Sequence, residues 1–531
     1  MAINLRENLM RRQCLGDGFR RASIRCPSKY ALIACYSDEK TAYYTYRELN
    51  EKINRVANSL QALGTKKGDR VAVLSRNNAD FLILTYALIK IGAWYAPINF
   101  MLRGPDIERL IDFAEPRFFF VEDAFVDLVK GMIFNTKSIE KFGYISVFGG
   151  TRPEGWIDLG ELMEGDDQEP DVIIDDEDVA TLLFTSGTEA DPKGVLTTHK
   201  NFYASIQTHL INIGFSQEDV FLLSLPIIHM GGFFLAIMGS IIGQTLVLTY
   251  LPDPSQMLKL IDKYKVTTTG LPPTLYVAIL AVPDLKKYDL SSAKRFITWS
   301  STIPKAMVDG WNEIAPHLSF HTLQGSSESS AAAITGSWFK KWEDIPNQDG
   351  RWVGKAVAFG CDIMLVDDDD CEVPVGEAGE EIIRGPVVMR GYYKNEEANK
   401  KSFCNGWFHT GDILFKDENG DYFFADRKKD MIKTGGENVF CQEVENIIGT
   451  HPDVVLCAVF GLPDARWGEA VTVAVVPRPG VTLTEEKIIS FCKERLPSFK
   501  VPKRIFFRET LPISAANKIL KRDLKKEYMS L

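Results

Sequence analysis

Residues 179–201 read Val-Ala-Thr-Leu-Leu-Phe-Thr-Ser-Gly-Thr-Glu-Ala-Asp-Pro-Lys-Gly-Val-Leu-Thr-Thr-His-Lys-Asn. The apolar run from Val179 to Phe184 has the length and punctuation of a buried strand, and it empties into hydroxyls, glycines and one lysine before a helix-like pattern over 197–214. This is a composition suited to phosphate. Thr185, Ser186 and Thr188 offer hydroxyl donors, Gly187 and Gly194 let the backbone approach a ligand, and Lys193 brings a cation. A Walker loop would need Gly-Lys-Ser/Thr opening a helix, but the order here is Lys193-Gly194-Val195, so that reading fails.

Outward from this stretch, the chain has 531 residues, 45% hydrophobic and 25% charged, which is too long for one core and predicts a large and a small domain. Its net charge is −10 and it holds no dense basic cluster, so nucleic acid is excluded as an expected partner. An anionic protein that handles anionic substrates must concentrate its cations locally. The nine cysteines are scattered, without a Cys-x-x-Cys pair, and read as reduced residues of a cytoplasmic protein. The first residues, with Arg6, Glu7, Arg11 and Arg12, do not read as a secretory signal. The apolar stretch 231–251 contains Gly239, Gly243 and Gln244 and predicts a buried helix followed by a strand rather than a transmembrane segment.

Residues 40–150 alternate short β-rich runs with helix-length amphipathic ones, which predicts an α/β layered architecture. Thr45 to Leu60 reads as a capped helix with an apolar stripe. The acidic stretch 162–178 reads as a solvated connection, and Asp367 to Asp370 as a hairpin turn rather than a metal site. The charged run Asp426-Arg427-Lys428-Lys429-Asp430 lies between two apolar-rich regions and places a boundary there, giving domains 1–427 and 428–531. The expected fold is a large multi-layer amino-terminal domain of sheets and helices with a small, mobile α+β carboxy-terminal domain.

Thr-Ser-Gly-Thr…Pro-Lys-Gly behind an apolar strand resembles the signature of the adenylate-forming enzymes, which include acyl-CoA synthetases, adenylation domains of peptide synthetases and beetle luciferases. Further segments resemble motifs of that family in its order. Leu225-Pro226-Ile227-Ile228-His229-Met230-Gly231-Gly232 implies that His229 sits between the acyl pocket and the incoming thiol; amino-acid-activating relatives carry Asp there, so His229 implies an acid without an α-amino group. Gln324-Gly325-Ser326-Ser327-Glu328 implies nucleotide contacts from Gly325, Ser326 and Ser327 and a Mg²⁺ ligand in Glu328, although Gln324 stands where the family has an aromatic residue that stacks on adenine. Thr410-Gly411-Asp412 implies a ribose carboxylate in Asp412, Arg427 matches the family's nucleotide-contacting arginine, and Lys429 its hinge. Lys433, Gly435, Gly436 and Glu437 match the loop that the small domain brings to the thioester site, and Lys518, after Asn517 in place of glycine, matches the catalytic lysine. Other departures are Glu189 and Ala190, where Thr-Gly is commoner.

The resemblance implies an AMP-forming acyl-CoA synthetase. A carboxylic acid attacks ATP to give acyl-AMP and pyrophosphate, and CoA then takes the acyl group, with Lys518, His229 and Glu328 as the catalytic set. Gly231, Gly232 and Gly325 read as space, and Phe233, Phe234 and Trp299 as apolar walls, for a medium-chain, branched, alicyclic or aryl acid. Two rival readings stand beside it. One passes the adenylate to a carrier protein, which the shortness of the chain beyond Lys518 disfavours; the other is a nucleotide-binding homologue without catalysis.

Overall fold

The computed structural model describes residues 4–185, 193–512 and 519–529. These fall into two compact units, one of residues 4–185, 193–363 and 383–408, the other of 364–382, 409–512 and 519–529. The protein is mixed α/β with a large amino-terminal and a small carboxy-terminal domain, as its pattern predicts. Compactness parts the chain at residues 408 and 409; a hinge at Lys429 is a matter of motion and is a separate question.

The first unit holds two sheets. One runs, in spatial order, Ala356–Val357, Ile334–Phe339, Ser319–Gln324, Arg295–Thr298, Thr268–Gly270, Val220–Leu223, Thr245–Thr249, Tyr30–Cys35 and Thr41–Thr45. Its centre is parallel and its margins are antiparallel. The other runs Gly391–Tyr392, Lys193–Thr198, Val179–Thr185, Trp94–Ile98, Arg70–Leu74, Phe118–Glu122, Lys141–Ile145 and Ile157–Asp158. The continuous apolar strands, such as the fully buried Phe118–Glu122, are what parallel pairing with both faces covered demands.

Two helices are apolar on nearly every side and therefore belong in the interior. Ala79–Lys90 starts at Asn78, whose Oδ1 accepts the Phe81 amide at 2.7 Å, and Met230–Ile242 stops at Gly243, which takes φ 98°. The latter is followed by the strand Thr245–Thr249, so the 231–251 stretch is the predicted helix and strand. Among the described residues no helix is long and apolar enough to cross a membrane. The predicted capped helix is Tyr46–Ala62, with a capping box of Thr45 and Glu48.

Sequence bounds shift where tertiary pairing outweighs pattern. The helix predicted over 197–214 is His199–Asn212, and the residues before it form the strand Lys193–Thr198, where Val195, Thr197 and Thr198 suit extended backbone. The acidic 162–178 stretch is a connection, but a fastened one: Asn54 Nδ2 donates to the Asp167 carbonyl at 2.8 Å, Asn58 Nδ2 to the Gln168 carbonyl at 2.8 Å, and buried Lys90 holds Glu169 at 2.8 Å.

In the second unit, Val454–Asp464 and Gly468–Pro477 form a long antiparallel pair, Arg504–Phe507 adds in parallel, and the hairpin of Ile432–Thr434 and Glu437–Val439 joins at Thr434. Cys441–Gly449 and Glu485–Lys493 contribute to a core with Ile432, Val459 and Val473, while Leu524 of Lys521–Met529 packs with Ala458 and Phe460. Alternate residues of one strand thus feed two cores. Asp367 to Asp370 is a turn, in which Asp367 Oδ1 accepts the amides of Asp369 and Cys371, each at 2.9 Å.

Candidate active site

The phosphate-type loop is carried by a hairpin. Thr185 and Lys193 are register partners at its open end, followed inward by Phe184 with Gly194 and Leu183 with Val195. Ser186, Gly187 and Thr188 lie outside the described residues, as does Lys518. On its far side the strand Lys193–Thr198 pairs with Gly391–Tyr392, Leu196 facing Gly391 and Val195 facing Tyr392. Lys193 Nζ lies 5.7 Å from the centroid of the Tyr392 ring. The Tyr392 hydroxyl donates to Glu328 Oε1 at 3.1 Å, and the Met389 amide donates to the Glu328 carbonyl at 2.8 Å. The structure therefore brings Thr185, Lys193 and Glu328 together through a residue that sequence reasoning passed over. Its only signal was Arg390-Gly391-Tyr392-Tyr393, a glycine followed by two aromatics with no periodicity to expose them.

Glu328 projects from a tightly folded turn. Ser326 N–H donates to Ser329 Oγ at 2.8 Å, the Ala331 amide returns to the Ser326 carbonyl at 3.0 Å, and Ser330 and Ala331 take φ of 52° and 73°. Two such non-glycine residues cost roughly 1–3 kcal/mol each. The half-buried Glu328 carboxylate projects from this turn and is held by the Tyr392 hydroxyl. Gly325 is needed for backbone approach, since a Cβ there would stand 2.6 Å from the Ala331 carbonyl carbon.

That observation overturns the reading of the glycines as space. A Cβ on Gly232 would meet the Pro226 oxygen at 2.4 Å, and one on Gly231 would meet Trp299 Cζ2 at 3.2 Å. Gly270 is likewise covered by the same indole, at 2.8 Å. Nor are Phe233 and Phe234 walls of a pocket: both are buried, Phe233 against Tyr95 and Phe202, Phe234 against His209. Trp299 remains half-buried, its indole against Gly231 and Gly270; His229 is half-buried too, and its carbonyl accepts the Phe233 amide as the helix begins.

Within the second unit, Asp412 and Arg427 are cross-strand partners with Arg427 Nε 3.6 Å from Asp412 Oδ1. Asp412 is half-buried, its amide donating to Thr410 Oγ1 at 3.1 Å, and Gly411 takes φ 74° while donating to Glu380 Oε1 at 3.1 Å. Lys428 binds Asp368 at 2.8 Å and Glu380 at 2.9 Å, whereas Lys429 is exposed. Gly435 and Gly436, both at positive φ, make the two-residue turn of the hairpin, a geometry glycine favours. Lys433 and Glu437 flank it and are exposed. The final helix is anchored by Lys521, whose Nζ lies 2.8 Å from Glu445 Oε1, both largely buried; the carboxylates of Glu445 and Asp426 and the Cys441 thiol together hold the Lys521 ammonium protonated well above its usual range against the opposing effect of burial. This pair too was missed, because its members are 76 residues apart and Lys521, at the end of the segment that carries Lys518, gave no sign of its partner.

Residues 19–393 match the AMP-binding enzyme family, and residues 443–518 match the AMP-binding enzyme C-terminal domain. The chain belongs to the AMP-binding enzyme family. Two relatives span nearly its whole length: feruloyl-CoA synthase of Amycolatopsis sp is 30% identical over 91% of this chain and 94% of its own, and the long-chain-fatty-acid–CoA ligase FadD13 of Mycobacterium tuberculosis is 32% identical over 91% and 93%. Among solved structures, an anthranilate CoA ligase, AuaEII, in complex with anthranoyl-AMP superposes with a TM-score of 0.86 at 26% identity, covering 98% of each chain. For this AMP-binding enzyme, then, the hairpin with Lys193 and the turn with Glu328 lie inside the matched amino-terminal part, and Lys433, Gly435, Gly436 and Glu437 lie between the two matched spans.

Proposed function

We propose that this protein is an AMP-forming acyl-CoA synthetase: acid and ATP give acyl-AMP and pyrophosphate, and CoA then gives the acyl-CoA and AMP. The observation that carries this is the placement of the Lys193 ammonium and the Glu328 carboxylate on either side of Tyr392, cation and carboxylate held apart for separate tasks. Joining two anions is the difficulty of the first step, since unit charges 4 Å apart repel by about 4 kcal/mol at an effective dielectric near 20. Lys193 counters that charge on the outer phosphates, and Lys518 does so between carboxylate and α-phosphate.

Glu328 fits a Mg²⁺ ligand: it is a half-buried carboxylate with one oxygen pinned, and among the described residues no cage of three or more His, Cys, Asp or Glu exists. Mg²⁺ suits such a site because it takes few carboxylates and completes its shell with phosphate oxygens and water, supplying charge neutralisation there. Thr185, Ser186, Gly187, Thr188, Gly325, Ser326 and Ser327 are assigned to ATP, with Asp412 on the ribose and Arg427 beside it. His229 is assigned to the passage between acid and thiol, and Lys433, Gly435, Gly436 and Glu437 to the second step. Residues 428–531 turn about Lys429 between the steps, and nine scattered cysteines without a Cys-x-x-Cys pair support a cytoplasmic setting.

The acid is bulky and apolar, aryl acids foremost. The half-buried Trp299 indole, packed against Gly231 just after His229 in the chain, is a large apolar aromatic surface, and two of the relatives are named for aryl acids, ferulate and anthranilate. Purified protein with Mg²⁺, ATP, CoA and a mixed panel of aryl, branched and fatty acids tests this by mass spectrometry of AMP and each thioester. Aryl thioesters with matching AMP are the expected result. Absence of every thioester with persistent acid-dependent pyrophosphate exchange would move the acceptor to a carrier protein. Lys429→Pro is expected to slow thioester release while leaving acyl-AMP formation intact.

A further inference from the structure

We propose that Tyr392 is the positioning residue that sets Lys193 and Glu328 for nucleotide, an inference that rests on the ligase reading above. The argument begins with register. Tyr392 faces Val195, and Lys193 lies two residues before Val195 on the same side of its strand, so Lys193 is the diagonal cross-strand neighbour of Tyr392. Strand pairing alone thus lays the lysine along the ring, with Nζ 5.7 Å from its centroid. The same pairing aims the hydroxyl at Glu328 Oε1, 3.1 Å away, and the Met389 amide ties the neighbouring backbone to the Glu328 carbonyl.

The ring is 8% exposed and packs with Val195, Ala333, Ile383 and Met389, which fixes its plane. A phenol donating to a carboxylate has a more electron-rich ring, so the bond to Glu328 strengthens the face offered to Lys193. The tyrosine therefore couples a cation and a carboxylate while its ring stands beside both. A tyrosine needed only for packing would do its work equally well without the hydroxyl.

Calorimetric titration of ATP into the purified protein, with Mg²⁺ or with EDTA and without acid, separates these roles. Tyr392→Phe keeps the ring and its packing, so ATP affinity in EDTA should fall by less than about twofold, while the gain in affinity on adding Mg²⁺ should shrink by about tenfold or more, the worth of one hydrogen bond to a charged group. Tyr392→Leu should also weaken ATP binding in EDTA by a few-fold, because Lys193 loses its support. A Tyr392→Phe protein that matches wild type in both titrations would overturn the inference and leave the ligase reading standing. Wild-type protein that binds no ATP would overturn both. Should Tyr392→Leu fail to fold, the Tyr392→Phe comparison decides alone.

Discussion

Arg427 Nε stands 3.6 Å from Asp412 Oδ1, each residue the direct partner of the other across two antiparallel strands. Arg427 is 44% exposed and Asp412 17%, so the ion pair itself contributes no more than about 0.2–1 kcal/mol to folding. On the function proposed above, it orients two groups for a nucleotide. Asp412→Ala is expected to raise the KM for ATP about tenfold or more in pyrophosphate exchange, as loss of a charged hydrogen bond implies, with a shift in unfolding free energy under about 1 kcal/mol. A large stability loss with unchanged KM would make the pair structural.

Trp299 covers Gly231 and Gly270, which links the acid preference to one indole. Trp299→Ala should shift the thioester products of a mixed acid panel towards bulkier acids. Gly231→Ala should do the reverse, since its methyl would sit 3.2 Å from Trp299 Cζ2 and push the indole by a few tenths of an ångström. Identical product profiles for all three proteins would place the acid elsewhere.

Burial pushes His199, His209 and His321 down to about 4. In the unfolded chain they protonate near 6.5, so between about pH 6.5 and 4 the unfolded state binds protons that the folded state refuses, and stability falls as pH drops through that window. His199 shows why: its Nδ1 accepts the Leu15 amide at 3.3 Å, a bond a protonated ring cannot make. Asp80, pushed up to about 6 by burial, and Asp426 and Glu445, also raised by burial, act in the opposite sense, whereas hydrogen bonds hold Glu48, Asp344 and Asp368 low, so that these carboxylates add to the acid-side loss. The melting temperature should therefore decline below pH 6.5, and His209→Gln should make the decline shallower. A flat profile from pH 7 to 5 would contradict this.

Lys521 and Glu445 form a buried pair at 2.8 Å in the second unit, and Glu445 Oε1 also accepts the Val459 amide at 2.7 Å. Removing one member strands a charge, which costs about 3–5 kcal/mol. Denaturant unfolding of Lys521→Met should show a loss of that order, and Lys521→Met with Glu445→Leu should recover part of it.

What was readable in the sequence follows from range. The alternation of apolar runs, the helix over 79–90 and the helix and strand in 231–251 are local patterns, and the structure repeats them. Lys193 and Glu328 were legible as chemistry because each stands in a dense motif. Tyr392 was not, since its meaning comes from register with a strand some 200 residues earlier. The glycines misled for the same reason: Gly231 and Gly232 look like vacancies in a string of letters, and only the fold shows that an indole and a carbonyl occupy the space. The strand Lys193–Thr198 was hidden because the helix-like pattern of 197–214 overlaps its end and one of its two partners, Gly391–Tyr392, stands some 200 residues away.

The loop between Thr185 and Lys193 leaves and re-enters the fold at two directly paired residues. Its base is thus a fixed clamp, and the spacing between its ends does not depend on which side chains lie between. The address of Lys193 is therefore set by strand register, whatever sequence a lineage places between the two ends.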